Sequence, residues 1–202
     1  MIQKSDIVAD LIERNEPQGD PLLITPCPDL AEFRAKGAGS IDLRLGCWFL
    51  MLRHSRACVL DVEKEATGEL KAESLTKTHY VPFGREFFLH PRSFVLGSTL
   101  EWLRMPQDYA GYVTSRSSWG RRGLIIATAT GVHPGFAGCL TLELFNAGEI
   151  PIALYPGMAV CQFFIHKANT NKNDTINSAL ACRRKPVLGT IKMDLIAEKL
   201  RR

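Results

Sequence analysis

A mainly β domain framed by short terminal helices is the fold class that this 202-residue sequence predicts. Two observations carry the β part. From about residue 40 to 166, short apolar runs alternate with turn residues. Inside one of these runs, Cys139–Phe145, leucines recur at every second position, the period of a strand with one buried face. A third observation concerns the start of the chain, where Ile7, Val8, Leu11 and Ile12 recur at helical spacing.

Taken in order, Ser5 is placed to cap that first helix. The strand-like runs are "SIDLRLGCWFLML", "EFFLHPRSFVLGSTLEWL", "YAGYVTSR", "CLTLELFN" and "IPIALYPGMAVCQFFIH". Pro156-Gly157 suits a tight turn, because proline fixes φ and glycine accepts a positive one. The charge-rich region Asp61–His79 reads as a solvated excursion between strands. Asn169–Ser178 reads as a polar linker, and "KMDLIAEKLRR" as a short terminal helix. The expected organisation is one domain over 1–202, with its core at about 38–166 and a tail at 167–202.

Composition narrows the functional classes. A hydrophobic content of 46% and a charged content of 23% describe an ordinary globular protein. No run approaches the roughly 18 apolar residues needed to span a bilayer. The N-terminus is acidic and amphipathic, unlike the apolar core of a signal peptide, so a cytoplasmic protein without a membrane partner is expected. The six cysteines are scattered with no CxxC pair, and most are expected to be small reduced core residues. A net charge of +4 suits an anionic small molecule and gives little support to a nucleic-acid surface.

Chemistry has two candidate locations. In the extended run, Leu140, Leu142 and Leu144 share one face, and Cys139, Thr141, Glu143 and Phe145 share the other. The second face mixes small, polar and aromatic groups, as a pocket wall does. Taken alone, a strand glutamate is still more often solvated. The segment "TSRSSWGRRGL" places Arg116, Ser117, Ser118, Gly120 and Arg121 within six residues. Guanidiniums, hydroxyls and backbone N–H groups are the donors that phosphate oxygens need, although the P-loop pattern is missing. A polar loop with capping serines fits this segment about equally well. The histidines lack metal-ligand spacing, and "PCPDL" supplies no second cysteine in register, which argues against zinc-activated water. His133 therefore reads as a turn or substrate-contacting residue, and no resident metal site is expected.

Three stretches together resemble the trimeric dCTP deaminase and dUTPase family: RSSxGR at Arg116–Arg121, PGFxGxxTLE at Pro134–Glu143 and PGMxxxQ at Pro156–Gln162. The similarity runs over about residues 38 to 166. It implies a distorted jelly-roll-like β-barrel of the dUTPase type with short terminal helices. It also implies a homotrimer with sites at subunit interfaces, and dCTP or dUTP as ligand. Magnesium would arrive with the triphosphate, and zinc would not be used.

Residue by residue, the resemblance makes Arg116, Ser117, Ser118, Trp119, Gly120 and Arg121 the phosphate-binding segment. Ser117 and Arg121 would also lie near the reacting base. Thr141, Leu142 and Glu143 would read the pyrimidine, with Glu143 as the catalytic glutamate. Gln162 would touch the nucleotide. Where the family carries an aspartate in the turn before the strand, this sequence has His133, a substrate-binding position with atypical chemistry. The tail tyrosine of the family is missing, and "CRRKPVLGT" reads best as a solvated basic stretch.

The implied reaction is hydrolytic deamination of dCTP to dUTP and ammonia, with Glu143 as general acid and base. The alternatives are a dUTP pyrophosphatase, a bifunctional enzyme giving dUMP, and an inactive nucleotide-binding regulatory module.

Overall fold

The computed structural model describes residues 1–14, 19–53, 59–127, 131–168, 182–189, 191 and 199. Helix α1 (Ser5–Glu13) buries Val8, Ala9 and Leu11. Its N-cap is Lys4, without a side-chain cap, so Ser5 is the first helical residue and is itself buried. After strand β1 (Leu23–Thr25) comes a helix that the periodicity argument passed over, α2 (Leu30–Lys36). Its signals are at its ends: the Asp29 side chain accepts the Glu32 N–H, and Gly37 closes the helix with a φ of 58°. Arg34 of α2 holds α1 through Asp10 and Glu13, at 2.9 and 2.6 Å.

The sheet follows, with every pairing antiparallel. Strand β2 (Ile41–Leu52) is long and joins its two halves. Beyond the short helix α3 (Val62–Ala66) lie β3 (Thr76–Tyr80) and β4 (Phe87–Leu89). The Asp61–His79 region is therefore more than a solvated excursion, since β3 pairs with β2 from Thr76 to Tyr80. Strands β5 (Phe94–Arg104) and β6 (Tyr109–Ser115) lead to the short helix α4 (Ser117–Gly120). The rest are β7 (Leu124–Ile126), β8 (Gly131–Val132), β9 (Ala137–Asn146), β10 (Ile152–Leu154) and β11 (Ala159–Lys167).

The main path runs β7-β9-β5-β2-β11-β6-β8, with β1 on β5 and β3 on β2, while β10 and β4 form a small separate pair. The residues Ile41–Arg44 of β2 pair with β11, and residues from Leu45 onward pair with β5 and β3. The curl closes around Leu43, Leu45, Phe49, Leu103, Leu142, Leu144 and Phe163, all fully buried. Strand β9 shows the expected alternation: Leu140, Leu142 and Leu144 are buried and the residues between them are half-buried.

Two turns match their sequence signals. Met158 N–H donates to the Tyr155 carbonyl around Pro156-Gly157, where Gly157 has a φ of 92°. Phe136 N–H donates to the His133 carbonyl around Pro134-Gly135, where Gly135 has a φ of 72°.

Two expectations need correction. Among the five described cysteines, all free, only Cys161 is buried; Cys47 and Cys139 are half-buried, and Cys27 and Cys182 are exposed. Desolvation, reinforced by the charges of Glu101 and Asp42, pushes the Cys161 thiol up to about 12, which leaves it unreactive. Nor is the basic stretch free in solvent along its backbone. Cys182 N–H donates to the Ala137 carbonyl at 2.5 Å, and Cys139 N–H donates to the Arg183 carbonyl at 2.8 Å. Gly138 permits this approach, since a Cβ there would stand 3.2 Å from the Arg183 carbonyl oxygen. Pro186 is buried, and Lys185 places its ammonium 4.0 Å above the Trp48 ring. The Arg183 and Arg184 side chains remain exposed. The linker Asn169–Ser178 and the helix expected near the C-terminus lie outside the described residues, apart from Lys199. Among the described residues, no helix is long and apolar enough to cross a membrane.

Candidate active site

Alternation on β9 places Thr141 and Glu143 together on the face opposite the core. Glu143 is half-buried, and Leu96 of β5, opposite it in the ladder, is buried. The Glu143 backbone is held from the other side, where Ala127 N–H donates to its carbonyl at 3.0 Å. Among the described residues, its carboxylate has no hydrogen-bond or ion-pair partner. Leu142 points into the core with no exposure, so only its backbone is placed to meet a ligand. Next along the outer face come Phe145 and its ladder partners Phe94 and Ile125, which are 44% and 45% exposed. Phe94 also lines a cavity of about 420 Å³ with Phe88, His90 and Arg92.

The segment Arg116–Arg121 is a single helical turn at the end of β6. Arg116 is the N-cap, and Arg121 N–H donates to the Ser117 carbonyl at 3.0 Å. Ser117 and Arg121 are exposed. Two contacts make the turn rigid: Trp119 Nε1 donates to the Ala159 carbonyl at 2.9 Å, and Arg122 donates to the Ser118 carbonyl at 2.7 Å. Gly120 has open space where a Cβ would sit. The Arg116 guanidinium lies 3.5 Å from Asp42. Gln162 of β11 is the ladder partner of Asp42, and its Nε2 donates to Ser40 Oγ at 3.2 Å.

Arg116 and Gln162 are thus brought together around Asp42. Glu143 is joined to neither by any hydrogen bond or ion pair within the chain. His133 is exposed, one residue beyond the Val132–Gly111 pair, at the opposite end of β6 from Arg116. About five strand residues separate the two ends, on the order of 17 Å.

Several residues of this region escaped the sequence reading. Asp42 and Arg44 lie on the outer face of β2 and line a cleft of about 160 Å³ with Ser40, Lys36 and Gln162. Their signal was the alternation in "SIDLRL", whose apolar members Ile41, Leu43 and Leu45 point inward. Glu101 of β5 is buried at 1% exposure; its carboxylate accepts the Arg44 backbone N–H at 2.8 Å and the Arg44 guanidinium at 3.0 Å. Desolvation raises the Glu101 carboxyl above its ordinary 4.5, and the Arg44 bonds and charge offset only part of that. A carboxyl raised by folding binds more protons folded than unfolded between its two values, so stability falls as pH rises through that interval. Glu101→Gln should flatten this fall in a series of thermal melts from pH 4.5 upward. An unchanged slope would show that the pH dependence arises elsewhere.

With this geometry established, the comparisons with known proteins decide the family. The dCTP deaminase-like family profile matches residues 7–168. This chain belongs to the dCTP deaminase-like family. Its relatives include a protein from Dictyoglomus turgidum named "dCTP deaminase, dUMP-forming", 43% identical over 129 residues, 63% of this chain and 64% of that protein. The chain thus spans just under two thirds of that relative's length. A Halorubrum lacusprofundi protein named "dCTP deaminase" is 41% identical over 156 residues, covering 76% of this chain and 72% of the relative. Among solved structures, the dCTP deaminase of Agrobacterium tumefaciens has the same fold, with a TM-score of 0.55 at 22% identity. That superposition covers 81% of this chain and 47% of the other. The mainly β, curled-sheet architecture of this family is the one expected from the resemblance.

Among the described residues, no three His, Cys, Asp or Glu side chains gather into a metal-ligating group. The charged side chains brought to the outer surface here are Arg116 beside Asp42 and, apart from them, Glu143 on β9.

Proposed function

We propose that this chain deaminates dCTP hydrolytically, with the reaction carried by Glu143. The observation that carries the reading is the position of Glu143 in a chain of this family. It is half-buried on the outer face of a long strand paired between β5 and β7, with its carboxylate uncommitted among the described residues. The relatives named dCTP deaminase support the same substrate.

In the proposed reaction, Glu143 takes a proton from a water whose oxygen adds to C4 of cytosine. The electron pair of the C4–N3 double bond moves to N3, which receives that proton. Glu143 then carries the proton of the new C4 hydroxyl to the amine. The C4–N bond breaks, ammonia leaves, and a C4 carbonyl remains. The products are dUTP and ammonia. Ser117 orients the water, and Arg121 places Glu143 and the developing charge. Arg116 and Gln162 hold the phosphates, Thr141 and the Leu142 backbone meet the pyrimidine, and His133 offers a ring nitrogen to the sugar. Any magnesium would be brought by the triphosphate and would neutralise part of its charge, and Asp42 beside Arg116 is the carboxylate that would face it.

This reading requires a second copy of the chain. Glu143 and Arg121 share no hydrogen bond or ion pair within one chain, and Arg116 and His133 lie at opposite ends of β6. The exposed Phe94 and Ile125 beside Glu143 are suited to burial against a neighbour. A homotrimer with shared sites fits both points.

The names of the Dictyoglomus relatives favour a second reading, in which dUTP goes on to dUMP and pyrophosphate. Product analysis with dCTP in magnesium separates the two. Accumulating dUTP identifies a simple deaminase, and direct appearance of dUMP identifies the bifunctional enzyme. Pyrophosphate from dUTP with dCTP untouched would overturn the deaminase assignment.

A further inference from the structure

Burying Glu101 is costly, and the deamination scheme makes no use of it. A carboxylate withdrawn from water is retained only against strong compensation. Its compensating partner, Arg44, is unequally placed: the Glu101 side chain is 2% exposed and that of Arg44 is 44% exposed. A pair that served the core alone would hide both ends.

The local backbone is built around this contact. Between Ser98–Thr141 and Trp102–Cys139 the ladder spends four residues of β5 against two of β9, a bulge that carries Thr99, Leu100 and Glu101. Thr99 Oγ1 donates to the Glu101 carbonyl at 2.8 Å and accepts the Leu140 N–H at 2.9 Å, which ties the bulge to β9. Gly46 admits the bulge, since a Cβ there would lie 2.9 Å from the Thr99 carbonyl oxygen. The bulge therefore holds the Glu101 backbone, and the Glu101 carboxylate in turn holds the backbone N–H and one guanidinium nitrogen of Arg44.

The other guanidinium donors of Arg44 have no partner among the described residues. Arg44 lines the same cleft as Asp42 and Gln162. Most of the acidic lining is already engaged: the Asp29 side chain caps α2, and Glu32 pairs with Lys36 at 2.6 Å. Asp42 faces Arg116 at 3.5 Å, a loose pair. Arg44 thus lines the cleft beside a single loosely held carboxylate, Asp42, whose other neighbour is the Arg116 guanidinium at 3.5 Å. At about 160 Å³ the cleft is smaller than the roughly 300 Å³ from which drug-sized pockets begin, and it suits a phosphate group better than a nucleoside.

We propose that Arg44 is a further ligand for the polyphosphate end of the nucleotide, and that Glu101 is the buried positioning residue that aims it. The inference rests on the nucleotide reading of this site. Arginine is suited to the task because its planar fork can donate to Glu101 through one nitrogen and to phosphate through the others.

The test measures steady-state kinetics with dCTP and equilibrium binding of dCTP and dCMP, in magnesium, for wild type, Arg44→Ala, Arg44→Lys, Glu101→Gln and the double variant. Arg44→Ala should raise KM for dCTP about tenfold or more with kcat within about threefold, the sign of lost uniform binding. Its affinity for dCMP should stay near the wild-type value. Arg44→Lys should fall between, and adding Glu101→Gln to Arg44→Ala should cost little more, because the two act as one unit. Should Glu101→Gln not fold, the two Arg44 variants carry the test. Equal losses toward dCTP and dCMP, or an unchanged KM in Arg44→Ala, would overturn the inference while leaving the deaminase reading intact. A wild type that makes no product from dCTP sinks that reading instead, and the dCTP-over-dCMP preference in binding still decides the role of Arg44.

Discussion

Glu143→Gln should abolish ammonia release from dCTP while leaving dCTP bound. The amide matches the carboxylate in shape, so β9, its pairing with β5 and the buried leucine face persist. What disappears is the group that takes and returns protons. General acid–base assistance is typically worth about 10² to 10⁴-fold, and here one side chain would serve every transfer, so kcat should fall toward the upper part of that range. Because the proposed phosphate contacts come from Arg116 and Gln162 and not from Glu143, the dissociation constant for dCTP should change little. Release of ammonia at the wild-type rate would remove Glu143 from the mechanism.

The second large effect concerns stability. Asn146 ends β9 with no exposure and satisfies three backbone groups: its Nδ2 donates to the Leu89 and Ile150 carbonyls, and its Oδ1 accepts the Gly148 N–H, each at 2.9 Å. Asn146→Leu fills nearly the same volume and satisfies none of them. An orphaned buried polar group costs about 1–3 kcal/mol, so the total loss should reach about 3 kcal/mol or more. For a chain of this size that is a drop in Tm of about 6–12 °C. A melting temperature within about 2 °C of wild type would show that water reaches these groups.

How much of this was legible in the sequence depended on whether the signal was local. The leucine alternation of β9 needs only seven consecutive residues, and it placed Glu143 on the outer face. The Pro-Gly turns were legible for the same reason. Helix α2 was also written locally, in Asp29 and Gly37, but at its ends and not in its period. Glu101 could not be read this way. One acid within "STLEWLR" looks the same whether it is solvated or buried. Its burial follows from a bulge set by pairing with β9, some forty residues further along the chain. The gathering of Arg116, Asp42 and Gln162 likewise depends on β11 lying between β2 and β6. The docked tail depends on the missing side chain of Gly138.

That tail contact has a consequence for how copies of the chain meet. Strand β7 pairs with β9 only at Leu144–Asn146, so on that side the stretch from Ala137 to Cys139 would present free N–H and C=O groups. An open strand edge of this kind is a template for a foreign strand and a starting point for aggregation. Cys182 and Arg183 occupy it with the chain's own backbone. The chain thus closes the edge of β9 by self-complementation. A second copy is thereby denied an open edge for β pairing at this end of β9.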